Sequence, residues 1–421
     1  MDETPKASSG LCEIVEIFRS QFSEEESRGL FGLEDEVDYE ARKFKLERLQ
    51  ERIASLDRGY EGPVRACPRC TQKSQYDKGD CARRLRLDGG VLSVKRAYYV
   101  CGECAESSYP LAERLGLVKG QEQGRLREKM ALLAVLMPYN QAPYVCEVLL
   151  STEVHAENLR RLLERESGSY QGANAEGATP LQVSADDTVY LEIDGHMCPT
   201  REARTDAIDQ GYREAKIAMA FCDTEIAAVS QDRKELLHPL FQGRIAPAAD
   251  FIEDVQEIYK RANAAHAKRV VALADGAKWI WKTLEAVAPE AIQILDYAHA
   301  KSYLYDAAKI IYGTGSNLVA PWIAQQQDLL FADNVAQVIE NIKAHVGRKA
   351  QLEEILTYLE NNKPRMQYGA YQRQGLLIGS GAIESAGKRI AQGRIKGCGM
   401  RWNIPQVNRL IQLRCAFFDG S

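Results

Sequence analysis

Three acidic residues lie where their chemistry would count. Asp194 ends the strand-like run TVYLEIDG, Asp275 ends RVVALADG, and Glu384 sits within IGSGAIESAGKRIAQGRIKGCGMRWN. An acid at the last residue of a strand points into a cleft, and three acids from distant segments stay close only around a cation. The set reads as a site for two Mg²⁺ or Mn²⁺ ions. Ions held in this way activate a water or a 3′-hydroxyl and stabilise the leaving oxygen of a phosphodiester. Each acid alone has a plainer reading. Asp194–Gly195 and Asp275–Gly276 serve as turn dipeptides, and Glu384 as a negative charge in the first turn of a helix capped by Ser380. The three together are better explained by metal.

A second ligand set lies upstream. CPRC at Cys67–Cys70 and CGEC at Cys101–Cys104 bracket alternating strand-like residues (Leu85, Leu87, Val91, Leu92, Val94, Tyr98, Val100). Two Cys-x2-Cys knuckles around hairpin material are the pattern of a zinc ribbon, one structural Zn²⁺ on Cys67, Cys70, Cys101 and Cys104. A thioredoxin-like redox pair needs one such motif at a helix start, not two around a hairpin. Cys81, between the knuckles, is an alternative ligand. The other cysteines read as buried thiols.

The elements that must position these groups follow from periodicity. Residues 1–62 form an acidic helical arm, with helical spacing at Leu11, Ile14, Val15, Ile17 and Phe18 and again at Phe44, Leu46, Leu49 and Ile53. The zinc ribbon takes 63–112. Residues 113–179 hold three amphipathic helices and a Gly/Ala/Ser-rich linker. The turn at Ser151–Thr152 and the residues Asn158, Arg160 and Arg161 on the last helix suggest a helix-turn-helix that contacts DNA.

Residues 180–300 then switch to strands: TVYLEIDG, AKIAMAFCD, EIAAVSQ, a helix through ADFIEDVQEIYKRANAAHA, RVVALADG, a helix through AKWIWKTLEAV, and AIQILDYAH. That order is the first part of a ribonuclease-H-like core, in which the first and fourth strands are neighbours, so Asp194 and Asp275 end side by side. Residues 301–372 are a helical insertion. Residues 373–421 hold the final helix, which delivers Glu384, and a basic C-terminal segment. The fold class is therefore multidomain, α+β and α/β. His299 and His196 are read as supporting groups, Trp279 and Trp281 as core aromatics with Trp279 near enough to Asp275 to stack on a displaced base, and Gly313–Ser316 as a turn.

Composition bounds these readings. The 421-residue chain has a net charge of −5, yet residues 1–62 alone carry 9 basic against 16 acidic side chains. Basic charge concentrates in Arg65–Cys104 (9 against 4) and Glu384–Arg414 (7 against 1), and local sign decides phosphate binding. Lys388, Arg389, Arg394 and Lys396 are the expected DNA-backbone contacts. The longest apolar run, MALLAVLM, is too short to span a bilayer, and no basic segment followed by an apolar core opens the sequence, so a cytoplasmic location with no membrane partner is expected. Eleven cysteines, an odd number, argue against a complete disulfide framework.

CPRC with CGEC, the strand-ending IDG, ADGAKWIW, ILDYAHA and above all IGSGAIESAGKRIAQGRIKGCGMRW resemble transposases of the ISKra type, encoded by bacterial insertion sequences, over residues 63–405. The resemblance implies a DDE metal site on Asp194, Asp275 and Glu384, an Asp-x-x-His pattern on Asp296 and His299, and an N-terminal zinc ribbon. It implies metal-dependent cleavage and strand transfer at element ends. The partners would be double-stranded DNA, as terminal inverted repeats and target, and further copies of the chain in a nucleoid-associated homodimer or higher oligomer. The alternatives are a transposase-derived DNA-binding protein that does not cut, and a structure-selective nuclease that cuts without joining.

Overall fold

The computed structural model of the chain describes residues 29–173, 180–202, 211–230, 233–345 and 351–420. Leu11 to Phe18 of the expected arm and residues 174–179 of the expected linker (167–180) lie outside them, while 167–173 of that linker are the end of a helix instead. The chain divides into two compact units, Met1–Glu166 and Ser167–Ser421. Among the described residues no helix is long and apolar enough to cross a membrane.

The first unit opens with helix α1 (Leu30–Ala54), none of whose residues is fully buried. Strands β1 (Val64–Ala66), β2 (Lys73–Leu87), β3 (Gly90–Cys101) and β4 (Ser107–Ser108) form an antiparallel sheet in sequence order. β2 and β3 are joined by the two-residue turn Asp88–Gly89, Leu87 pairing with Gly90, and Gly89 takes a φ of 95° that a side chain would resist. Leu85 and Val94 on the inner face close over Leu111 of the short helix α2 (Pro110–Arg114), with Ile53 and Leu56 beside them. Helices α3 (Gly124–Leu136), α4 (Ala142–Leu150) and α5 (Ala156–Ala173) follow, as the amphipathic spacing predicts.

The second unit is built on a five-stranded sheet of β5 (Thr188–Pro199), β6 (Tyr212–Cys222), β9 (Leu240–Arg244), β10 (Arg269–Ala274) and β11 (Ile292–Leu295). Its spatial order is β11-β10-β5-β6-β9. β6 runs antiparallel to both β5 and β9, while β10 runs parallel to both β5 and β11. The third strand is not the expected EIAAVSQ. That run forms β7 (Ile226–Ser230), which pairs only with β8 (Arg233–Leu236) in a separate hairpin, and LFQGR supplies the sheet strand. The physical reason is burial: β7 is partly or fully exposed throughout, whereas Leu240 and Phe241 are buried against β6.

Helix α6 (Ala248–Arg261) connects β9 to β10, and α7 (Lys278–Val287) connects β10 to β11. From β11 the chain runs through α8 (Tyr297–Tyr312), α9 (Val319–Phe331), α10 (Val335–Lys343), α11 (Leu352–Asn362) and α12 (Tyr368–Arg373) before α13 (Gly381–Gly387). Gly313–Ser316 joins α8 to α9 as a turn. The final helix is not continuous. α13 passes into a π-helical turn, Lys388–Gln392, a closing turn Gly393–Ile395, and then a separate helix α14 (Ile404–Asp419) that packs on β9, Ile411 lying against Gly243. The buried Arg414 of α14 donates through Nε to the Ile390 carbonyl at 2.9 Å and through Nη2 to the Arg389 carbonyl, gathering oxygens in the π turn. Such turns rarely persist without a partner for the oxygens they free.

Candidate metal centres and their surroundings

Register, more than strand ends, brings the acids together. β5 and β10 pair from Thr188↔Arg269 to Glu192↔Leu273, so Asp194 and Asp275 stand level just beyond the last pair. β10 and β11 pair up to Ala274↔Leu295, which sets Asp296 level with Asp275. Three aspartates thus cross three adjacent parallel strands in one row. Asp194 is not the last residue of its strand, as the sequence suggests: β5 continues to Pro199 through its pairing with β6, while the β10 side has ended. Asp275 and Gly276 leave β10 in a turn where Gly276 has a φ of 97°, and Tyr358 of α11 donates to the Asp275 carbonyl at 2.6 Å.

Glu384 reaches this row because α13 is docked on it. Ser380 does not cap α13 with its side chain, contrary to expectation. Its amide (2.6 Å) and hydroxyl (2.9 Å) both donate to Asp296 Oδ2. The cap comes instead from Glu192 of β5, whose Oε2 accepts the Ile383 amide at 2.9 Å. Asp296 Oδ1 accepts from the amide (2.6 Å) of His299 and lies 3.0 Å from its Nδ1.

The electrostatics follow from this crowding. Burial raises the Asp194 carboxyl above its usual range, and the Asp275 charge adds to the rise against His196 and the Gly195 amide. Burial likewise pushes Glu192 up to about 8 despite the Ile383 amide, with Asp296, Asp194 and Glu384 adding to it. For Asp296, burial works upward, but hydrogen bonds from His299 and Ser380 outweigh it and hold the carboxyl below its usual value. The Asp296 hydrogen bond raises His299 against its partial burial, with Asp275 and Glu384 contributing. His196 is lowered by burial against the Asp194 charge: its Nε2 lies 3.4 Å from Asp194 Oδ2 without hydrogen-bond geometry, and the Nε2 end of its ring packs against Gly387.

Beside Asp275 a cleft of about 890 Å³ opens between α7, α8 and α11, lined by Lys278, Lys282, His299, Tyr303 and Tyr358. The two tyrosine rings stack at 3.8 Å. Trp281 packs in the core, as expected, with Nε1 donating to Asn362 at 3.0 Å. Trp279 is not free to stack on a base: it meets Phe251 edge-on, and Lys216 Nζ sits 4.7 Å above its ring.

Among the described residues two groups of possible ligands converge to within 4.8 Å in every pair, and Asp194, Asp275 and Glu384 are not one of them. The donor set is all oxygen, as Mg²⁺ and Mn²⁺ prefer, and the buried Glu192 Oε1 beside it has no hydrogen-bond partner.

The first convergent group is Cys67, Cys70, Cys101 and Cys104. Sγ pairs stand 3.6 Å (Cys67–Cys104) and 3.5 Å (Cys70–Cys101) apart, close to the edge of a tetrahedron with Zn–S bonds of about 2.3 Å. The knuckles repeat one another. The Cys67 and Cys101 amides donate to Gln72 and Glu106, and the Thr71 and Ala105 amides donate back to the first cysteine of each pair. Thr71 and Ala105 both take positive φ. Amide donation from Cys70 and Arg69 holds Cys67 down to about 6, while Cys70, against the Gln72 amide, is pushed up to about 12 by the Cys104 sulfur and burial, so the crowded sulfurs share protons until a cation takes their place. This four-cysteine group is able to hold zinc. Cys81 is not part of it: it lies in β2 opposite Arg96, whose Nη2 donates to its sulfur at 3.5 Å.

Asp187, Cys222 and Asp223 form the second group, which the sequence reading missed. It lies at the start of β5, away from the aspartate row. Its carboxylates are taken up by backbone amides: Asp187 accepts from Ser184 (2.7 Å), closing a turn, and Asp223 accepts from Thr188 at the start of β5 (3.0 Å).

The expected DNA contacts divide. Lys388, Arg389 and Lys396 are exposed. Arg394 is 1% exposed, packed 5.2 Å above the Trp402 ring, and is withdrawn as a backbone contact; a π turn instead of a continuous helix rotates it inward. On α5, Asn158 donates to Glu122 at 2.9 Å, Arg160 bridges Glu157 and Glu164, and Arg161 pairs with Glu157 at 2.8 Å. Those partners tie the three side chains to their own unit. The residue that sequence reasoning missed is Glu192. Its only signal is an acid two positions before Asp194 in an otherwise apolar strand, hence on the same face.

No protein-family model and no curated protein matches the chain. Among solved structures, the Drosophila P element transposase strand transfer complex aligns over 72% of this chain and 95% of that chain, at 11% identity and a TM-score of 0.33. That likeness is too distant to carry an inference about this chain.

Proposed function

We propose that this chain is a metal-dependent DNA transposase with a ribonuclease-H-like core. The observation that carries the reading is the level row of Asp194 and Asp275 on adjacent parallel strands, with Glu384 brought over it by a helix docked on the same strands. The strand order, three antiparallel then two parallel with helices between, supports the core assignment. Asp194, Asp275 and Glu384 would hold Mg²⁺ or Mn²⁺, which when bound supplies Lewis acidity toward a phosphodiester and its attacking oxygen.

The remaining roles belong to the chain's own groups. Asp296 fixes both α13 and His299. His299, its imidazole drawn toward the charged form by that pairing, stands where Asp275 and Glu384 also favour the proton. Lys388, Arg389 and Lys396 present exposed cations immediately after the Glu384 turn, suited to the DNA backbone. The four cysteines of the first unit would hold one structural Zn²⁺. Hydrolysis would break a phosphodiester at the element end and leave a 3′-hydroxyl, which then attacks a target phosphodiester and expels its 3′ oxygen. Work on both ends of an element fits a homodimer or larger assembly on DNA.

The test uses end-labelled duplexes taken from the DNA flanking the coding sequence, with Mg²⁺ or Mn²⁺. Wild type should cut and join. Asp194→Ala, Asp275→Ala and Glu384→Ala should each bind but lose cleavage. Cutting without joining would make the protein a nuclease, and binding without cutting in the wild type would leave it a DNA-binding protein.

A further inference from the structure

Glu192 is the most deeply buried carboxyl near the aspartate row, with 0% exposure. One of its oxygens accepts the Ile383 amide at 2.9 Å, and the other, Oε1, has no partner. Isolated burial of a polar group is costly, and a fold retains it only where something else offsets that cost. Here the offset is the helix start. α13 has no side-chain cap of its own, because Ser380 is turned onto Asp296. The amide of Ile383, one residue before Glu384, would otherwise be buried and unpaired.

We infer that Glu192 is a positioning residue that fixes where Glu384 stands relative to Asp194. It shares a strand face with Asp194 and is hydrogen-bonded to the neighbour of Glu384, so it ties the two halves of the proposed site by a single rigid link. The inference rests on the proposed function for its consequence, but not for its geometry. What the link requires is an acceptor of the right length, not a charge. The carboxamide oxygen of Gln supplies that acceptor, and an apolar side chain of the same length does not.

Glu192→Gln, Glu192→Met and Ile383→Pro test this. Proline removes the donor while leaving Glu192 in place, and it is tolerated in the first turn of a helix. Three readouts are compared: hydrogen exchange of the α13 amides, affinity for Mn²⁺ alone, and cleavage of flanking DNA. Glu192→Gln should stay within about threefold of wild type in all three. Glu192→Met should melt cooperatively and bind DNA normally, yet lose roughly hundredfold in cleavage at saturating DNA, the scale expected for a misplacement of about 1 Å. It should also bind Mn²⁺ at least tenfold more weakly and exchange the α13 amides faster. Ile383→Pro should match it in Mn²⁺ affinity and cleavage while Ile383→Ala, which also loses the buried side chain but keeps the amide, should not, and this pair decides the matter should Glu192→Met fail to fold. Wild-type Mn²⁺ affinity and exchange in Glu192→Met would overturn the inference. So would a Glu192→Gln variant as defective as Glu192→Met, since the carboxylate itself would then be needed. If wild type cuts no DNA, the transposase reading fails, while the exchange and Mn²⁺ results still decide the role of Glu192.

Discussion

Substitution of Gly387 by alanine sets two known effects against each other. Alanine is favoured over glycine in a helix by up to about 1 kcal/mol, so an ordinary helical glycine gains stability from the change. Gly387 is not ordinary. A β-carbon there would lie 1.6 Å from Nε2, 2.2 Å from Cε1 and 2.4 Å from Cδ2 of His196. Comfortable contacts between such atoms begin near 3.5 Å, so the ring or the helix must give by roughly 2 Å. The ring is buried, with Asp194 on one side and Gln392 3.4 Å from its Nδ1 on the other. Overpacking of this kind costs about 1–3 kcal/mol, and with no open side for the ring the upper half of that range applies. The expected net effect is a loss of about 1–2 kcal/mol, measured by urea unfolding of the metal-free protein. Removing the ring should reverse it: Gly387→Ala in a His196→Ala background should be neutral or stabilising, a coupling of about 1–3 kcal/mol in the double-mutant cycle. If the single variant is more stable than wild type, or the coupling is absent, the close approach of α13 to β5 is not as described. Under the proposed function the shifted helix also carries Glu384 away, so cleavage should fall by more than stability alone explains.

Three further outcomes are expected. Metal analysis should find one Zn²⁺ per chain, lost in Cys67→Ser together with protease resistance over residues 63–112; a zinc-free protein with unchanged resistance would remove the ribbon. Lys388→Ala with Arg389→Ala should weaken binding to all DNA sequences alike and flatten the plot of log affinity against log salt by about two units, whereas an unchanged slope would make these cations surface groups only. The Asp296–His299 pair sets a pH window. Asp296 is lowered, so its stabilisation is present above the unfolded carboxyl value of about 3.9 and fades below it as pH falls through the folded value. His299 is raised, so its share is complete below about 6.5 and fades as pH rises through the folded value. The stability lost in His299→Ala should therefore be larger at pH 5.5 than at pH 9, measured without divalent ions; equal losses would mean the imidazole acts only by packing.

The sequence by itself determines those features that depend on short-range spacing. Two Cys-x2-Cys knuckles around a hairpin place four sulfurs together, because each knuckle closes on its own backbone hydrogen bonds. Asp275 is marked by the glycine after it, which the turn out of β10 requires. The helices from Gly124 to Ala173 follow from apolar periodicity. Where two elements must meet, spacing is silent. The third strand was chosen by which of two short apolar runs could be buried against β6, and EIAAVS lost to LFQGR. The discontinuity after α13 depends on Arg414, from a later helix, reaching the carbonyls of the π turn, and it turns Arg394 inward. Ser380 follows a helix-cap pattern, yet its hydroxyl goes to Asp296, more than eighty residues earlier in the chain, because a buried carboxylate is the stronger acceptor. Glu192 is the clearest case. Beyond its place two residues before Asp194 in an apolar strand, nothing local marks its role, and only the arrival of the Ile383 amide from a distant helix gives its burial a reason.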